Sequence, residues 1–137
     1  MVKLARIVIS QIQCLKVLLD CEYINENIND EIILTQQMYD EFLNEDNCWI
    51  VKLKSFMDKN LIKIEDISIF TEEYYTYKAI INGKLGIMYG RCESSAMSIA
   101  IHSNALLLTE KHEKCIKNIG KHNLTWITIS DFLKSIT

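Results

Sequence analysis

The chain has 137 residues, 49% hydrophobic and 24% charged, with a formal net charge of −3. This excludes a disordered chain, and the length suits one domain, residues 1–137, with a sizeable buried core. No apolar run reaches the roughly 20 residues of a membrane-spanning helix and the N-terminus lacks a signal-peptide pattern, so a cytoplasmic protein with no membrane partner is expected. The five cysteines, Cys14, Cys21, Cys48, Cys92 and Cys115, include no CxxC pair. They read as reduced thiols that mostly fill the core, not as a disulfide frame or a zinc site.

The β-branched run "RIVIS" (6–10) predicts a buried strand, followed by a helix with Ile12, Leu15, Leu18 and Leu19 at helical spacing. "EIIL" (31–34) predicts a second strand. Thr35 is placed to cap the helix "QQMYDEFLN", with Met38, Phe42 and Leu43 facing inward. A helix is expected over 47–58, then an edge strand in "LIKIEDI" (61–67), where apolar and charged residues alternate. "TEEYYTYKAII" begins with a Thr and two acids, as a helix start should. The segment "NGKLGIMYG" carries three of the four glycines and reads as a loop. After it the pattern predicts a helix over 91–102, a buried strand over 105–108, a helix from about 110 to 119 closed by Gly120, the strand "TWITI" and a terminal helix. Strands alternating with helices throughout imply an α/β domain with a mainly parallel sheet covered on both faces.

In open parallel sheets, sites form beyond the carboxyl ends of the strands. Ser10 follows the first strand there, Glu41 lies on the helix after the second, Glu93 opens a helix, and Glu110 follows the fourth strand. Three carboxylates and a hydroxyl gathered at one sheet end would suit Mg²⁺ or Mn²⁺, and such an ion activates water against a phosphodiester. Acids at helix starts also arise simply because they complement the helix dipole.

The stretches "RIVISQIQCLKVLL", "IILTQQMYDEFL" and "GRCESSAMSIAIHSNALLLTEKHEKC" together resemble the PIN domain, a nuclease fold of many toxin–antitoxin ribonucleases. The likeness is to its compact prokaryotic group with a "GE" helix and covers nearly the whole chain. It implies a three-layer α/β/α domain and a metal-dependent ribonuclease of a toxin–antitoxin or mobile-element system. Glu41, Glu93 and Glu110 would then be the metal ligands. Two departures accompany the resemblance: Ser10 stands where the family has its most characteristic Asp, and Lys111 where a second Asp is frequent. Cys92 replaces the glycine of "GE". Loss of one carboxylate and gain of a nearby cation weaken divalent-metal binding. The alternative is therefore a PIN-like module without catalysis that binds RNA or a protein partner such as an antitoxin. PIN relatives commonly dimerise, so a homodimer is also expected.

Lys111, Lys114, Lys117 and Lys121 fall along one arc of the predicted 110–121 helix and could meet a phosphate backbone, or form an ordinary solvated face. Lys52, Lys54, Lys59 and Lys63 make a second such set. Tyr74, Tyr75 and Tyr77 could stack on bases but read better as packing or partner surface. His102, His112 and His122 form no metal motif and read as structural.

Overall fold

The computed structural model describes residues 6–21, 30–85, 89–110, 118–119 and 122–136. Strand β1 (Arg6–Ile9) leads into helix α1 (Ile12–Leu19), and β2 (Glu31–Thr35) into α2 (Gln36–Phe42) and α3 (Asn47–Asp58). Then come β3 (Ile62–Glu65), α4 (Glu72–Ile81), α5 (Arg91–Ser103), β4 (Leu106–Thr109), the short strands β5 (Asn118–Ile119) and β6 (His122–Asn123), β7 (Thr125–Thr128) and α6 (Ile129–Ile136).

Five strands form one sheet in the order β3-β2-β1-β4-β7, with every neighbouring pair parallel. Successive side chains of a strand point to opposite faces, and the core divides accordingly. Ile7, Ile9, Ile32, Leu34 and Leu108 pack with α1, α2, α3 and α6 on one face, while Val8, Ile33 and Leu107 pack with α4 and α5 on the other. The result is an α/β/α sandwich, as the alternating pattern implied. The strand β3 is at the sheet edge, with Lys63 turned to solvent.

Local chemistry sets the helix starts. Thr35 and Thr71 have extended backbones, and their hydroxyl oxygens accept from the amides of Met38 and Tyr74, each at 3.2 Å. Helix α5 approaches the sheet closely because Ser94, Ser95, Ala96, Ser98 and Ala100 are small and all are buried. Its serines find partners: Ser98 Oγ donates to the Glu73 carbonyl (2.5 Å), and Ser95 Oγ hydrogen-bonds Thr35 Oγ1 (3.0 Å) and the Cys92 carbonyl (2.9 Å).

Three expectations need correction. Leu43 is 42% exposed, because α2 ends at Phe42 and Leu43 serves as its C-cap, outside the apolar stripe. The fourth strand runs one residue later than predicted. Asn104 takes a left-handed backbone (φ 54°) and Ala105 N bonds the Ala100 carbonyl (2.9 Å), so Ala105 still belongs to the helix terminus. Asn118 and Ile119 do not end a helix. They pair antiparallel with Asn123 and His122. The rest of that predicted helix, 111–117 and Gly120, lies outside the described residues.

Because Ala96 and Ala100 sit where α5 meets sheet and helix, leucine at either should overpack the contact. Thermal or urea denaturation should show a loss of about 1–3 kcal/mol for Ala96→Leu or Ala100→Leu; unchanged stability would contradict the close approach.

Candidate functional site

The two central strands, β1 and β4, end side by side, since Ile9 is in register with Leu108. Just beyond Ile9, the Ser10 amide and its hydroxyl both donate to the Leu108 carbonyl, at 3.1 and 2.7 Å. Ser10 is buried, and its proton is committed to the main chain. The following residue, Gln11, ties the same two strand ends together by accepting from Glu110 N through Oε1 (2.6 Å). The Cys14 thiol also lies 3.7 Å from that oxygen. The middle of the sheet's carboxyl edge is thus formed by Ser10 and Thr109, both uncharged.

Charge enters from the flanking helices. Glu41 lies in the last turn of α2, and Glu93 in the first turn of α5 after Gly90, whose extended backbone starts that helix. Glu41, Glu93 and Ser10 line one open cleft of about 280 Å³, together with Gln11, Ile12, Gly90, Arg91 and Cys92. The Cys92 thiol donates to Glu41 Oε2. Burial is the main cause that pushes the Cys92 thiol up to about 12, followed by this hydrogen bond and the charges of Glu41 and Glu93. Cys14 is also pushed up to about 12, by burial first and then by the charges of Glu110 and Glu93. Burial likewise raises the Glu93 carboxyl above the ordinary carboxylate range.

Of the residues singled out from sequence, Ser10, Glu41 and Glu93 therefore face one cleft. Glu110 is exposed and lies outside its lining, within electrostatic reach of Cys14. Asp20 and Asp40 lie outside that lining as well: Asp20 accepts from Lys52 Nζ (2.6 Å) and Asp40 from Gln36 Nε2 (2.9 Å). Lys52 also sits over the Trp49 ring, 4.9 Å from its centroid, so it belongs to a local ion-pair and cation–π arrangement. His102 hydrogen-bonds Thr76 Oγ1 (2.8 Å) and meets His122 edge-on at 5.3 Å, which gives both histidines packing partners. Lys111, His112, Lys114, Cys115, Lys117 and Lys121 lie outside the described residues. Sequence reasoning missed the role of Gln11 and the Cys92–Glu41 bond. For Gln11 its place next to Ser10 was a usable signal, whereas the thiol bond links positions 51 apart and has no local signature.

The donors do not fit a resident divalent metal as arranged. Carboxylate and hydroxyl oxygens are the right chemistry for Mg²⁺ or Mn²⁺. However, Ser10 is neutral and hydrogen-bonded to main chain, one Glu41 oxygen is engaged by a thiol, and among the described residues no group of three His, Cys, Asp or Glu side chains converges to hold an ion.

Two consequences follow for the cleft. Thiolate is the reactive form of cysteine, so Cys92 should alkylate slowly at mildly alkaline pH, and Glu41→Gln should speed it by removing the negative charge and leaving a weaker, neutral acceptor for the thiol. Peptide mapping after iodoacetamide would read this, and equal rates would contradict the contact. The raised Glu93 carboxyl means the folded chain holds that proton more tightly than the unfolded one. Its contribution to stability is then present at acid pH and withdrawn as pH rises through the folded value. In urea titrations, the natural protein should gain on Glu93→Gln as pH falls from neutrality; parallel curves would contradict burial of that carboxyl.

No protein-family model matches the chain, and no curated protein matches it. Among solved structures, the chain is similar to VapBC2 from Rickettsia felis bound to a DNA fragment from their promoter, with 18% sequence identity and a TM-score of 0.63 over 90% of this chain and 98% of that one. At that identity the likeness speaks to the fold alone. Together with the all-parallel sheet and its two helical layers, it establishes that this chain has a PIN-like α/β/α fold.

Proposed function

We propose that this chain, as one domain over residues 1–137, is a PIN-like protein of a toxin–antitoxin or mobile-element system that acts by binding a protein partner, without metal-dependent cleavage in its cleft. The observation that carries this reading is Ser10. Its hydroxyl and amide converge on the Leu108 carbonyl, beside uncharged Thr109, where an ion would need negative oxygens. The VapBC2 structure, which contains promoter DNA, supports an assembly as the setting for such a fold. Among the described residues no helix is long and apolar enough to cross a membrane.

One observation favours a second reading. Glu41 and Glu93 face the same cleft, as they would in a Mg²⁺- or Mn²⁺-dependent endoribonuclease acting on RNA phosphodiesters, with Glu110 as the further acid.

Calorimetric titration with Mn²⁺ and Mg²⁺ separates the two. The natural protein should show no saturable binding, and Ser10→Asp should acquire it by adding a charge between the strand ends. RNA incubated with the natural protein should be cut no faster than with Glu93→Gln. Saturable binding by the natural protein, with RNA cleavage abolished in Glu93→Gln, would establish the nuclease reading instead.

A further inference from the structure

The β3–α4 connection carries an apolar surface that the other described residues leave exposed. Ile67 points into the core, but the next apolar residues, Ile69 and Phe70, are 64% and 78% exposed. Tyr75, one turn into α4, is 58% exposed. The rings of Phe70 and Tyr74 meet edge-on at 6.4 Å, and those of Tyr74 and Tyr75 at 5.7 Å, so the aromatic groups form one continuous patch. Tyr74 and Tyr77 anchor it by packing partly against the α4–α5 side of the core.

Phe70 is unusual in a second, independent way. Its φ is 71°, in the left-handed region that a bulky L-residue rarely adopts. Exposing a benzyl side chain and holding its backbone at positive φ both cost free energy, and among the described residues the edge contact with Tyr74 is the ring contact that offsets them. Glycine or asparagine would satisfy the same turn. A strained backbone that presents an apolar side chain to water is the arrangement of a binding element.

The charge around the patch narrows what covers it. From Lys63 to Lys78 the chain has four acids (Glu65, Asp66, Glu72 and Glu73) against two lysines at its ends, Lys63 and Lys78, so the acids outnumber the cations around the patch. Glu65 is paired with Arg6 at 2.6 Å, and Glu72 lies 3.8 Å from His102 while its side chain remains 91% exposed. An acidic rim repels RNA phosphates and anionic lipid surfaces. A second copy of this chain meeting the patch with its own patch would bring like charges together. We infer that the Ile69–Phe70–Tyr75 patch docks a segment of a partner protein that is apolar on one face and basic at its flanks. This deepens the partner-binding reading and rests on it for the existence of a protein partner.

A dye-labelled synthetic amphipathic helix of leucine and lysine is a suitable probe, with a leucine–glutamate helix as its counterpart. Fluorescence anisotropy should show saturable binding of the basic helix alone, weakened by added salt. Phe70→Gly is the informative variant: it should raise the melting temperature, because glycine suits the positive φ, and yet weaken binding at least tenfold. Glu72→Lys with Glu73→Lys should weaken it similarly. Val51→Ser, which removes a 66% exposed apolar residue on the opposite layer, should leave it unchanged. Equal affinity in Phe70→Gly, or equal binding of the acidic helix, would overturn the proposal. So would a concentration-dependent dimer in sedimentation that Phe70→Gly abolishes, since a second copy would then be the occupant. Metal binding by the natural protein would overturn the reading of the cleft and leave this surface standing, so the two failures are distinguishable.

Discussion

The pairing of β1 with β4 is the contact on which the rest of the site depends. It places the two central strands in register at Ile7 to Ile9 against Leu106 to Leu108, and it ends with two hydrogen bonds from one residue, Ser10, to the Leu108 carbonyl. Gln11 extends the tie by one more bond to Glu110 N. A carboxylate at position 10 could not donate to that carbonyl. Serine therefore closes the sheet edge with a satisfied buried polar group, and the same substitution leaves the middle of the cleft uncharged. Structure and chemistry at this point come from one side chain.

The acids that remain are placed by helices, not by strands. Glu93 is carried by α5, whose small residues allow it to lie against the sheet, and Glu41 by α2, which Thr35 starts. Both helices meet at the Ser95–Thr35 hydrogen bond, so the separation of the two carboxylates is set by a buried contact within the core. Cys92 then lies between them and donates to Glu41. Among the described residues the cleft is lined by two acids, Arg91 and a protonated thiol, an environment that is polar but poor in the oxygen ligands a hard cation prefers.

Much of the architecture was legible in the sequence because the relevant signals are local. The α3 helix was bounded correctly at 47–58, the Thr35 and Thr71 caps precede their helices as capping chemistry predicts, and the alternation of Lys63 with Ile62 and Ile64 marked an edge strand. The failures have a different character. Leu43 fits the apolar spacing of α2 but falls one residue past its end, and Ala105 looks like a strand residue but is held by the α5 terminus. Asn118 and Ile119 continue an amphipathic pattern, yet they pair with β6 instead. At the site, the convergence of Ser10, Glu41 and Glu93 followed from the rule that parallel sheets form clefts at their carboxyl ends. The hydrogen-bond commitments of Ser10 and Glu41 did not, because they depend on groups 98 and 51 positions away in the chain. Phe70 was also invisible, since nothing in its neighbours announces a positive φ.

The central claim, an uncharged sheet edge that does not hold a metal, is tested most directly by nuclear magnetic resonance of the labelled protein during titration with Mn²⁺. Paramagnetic broadening should be weak and spread over exposed acids, and the amides of Ser10, Gln11, Glu41, Glu93 and Glu110 should broaden no more than others. Saturable broadening confined to those five amides would contradict the account and place an ion in the cleft.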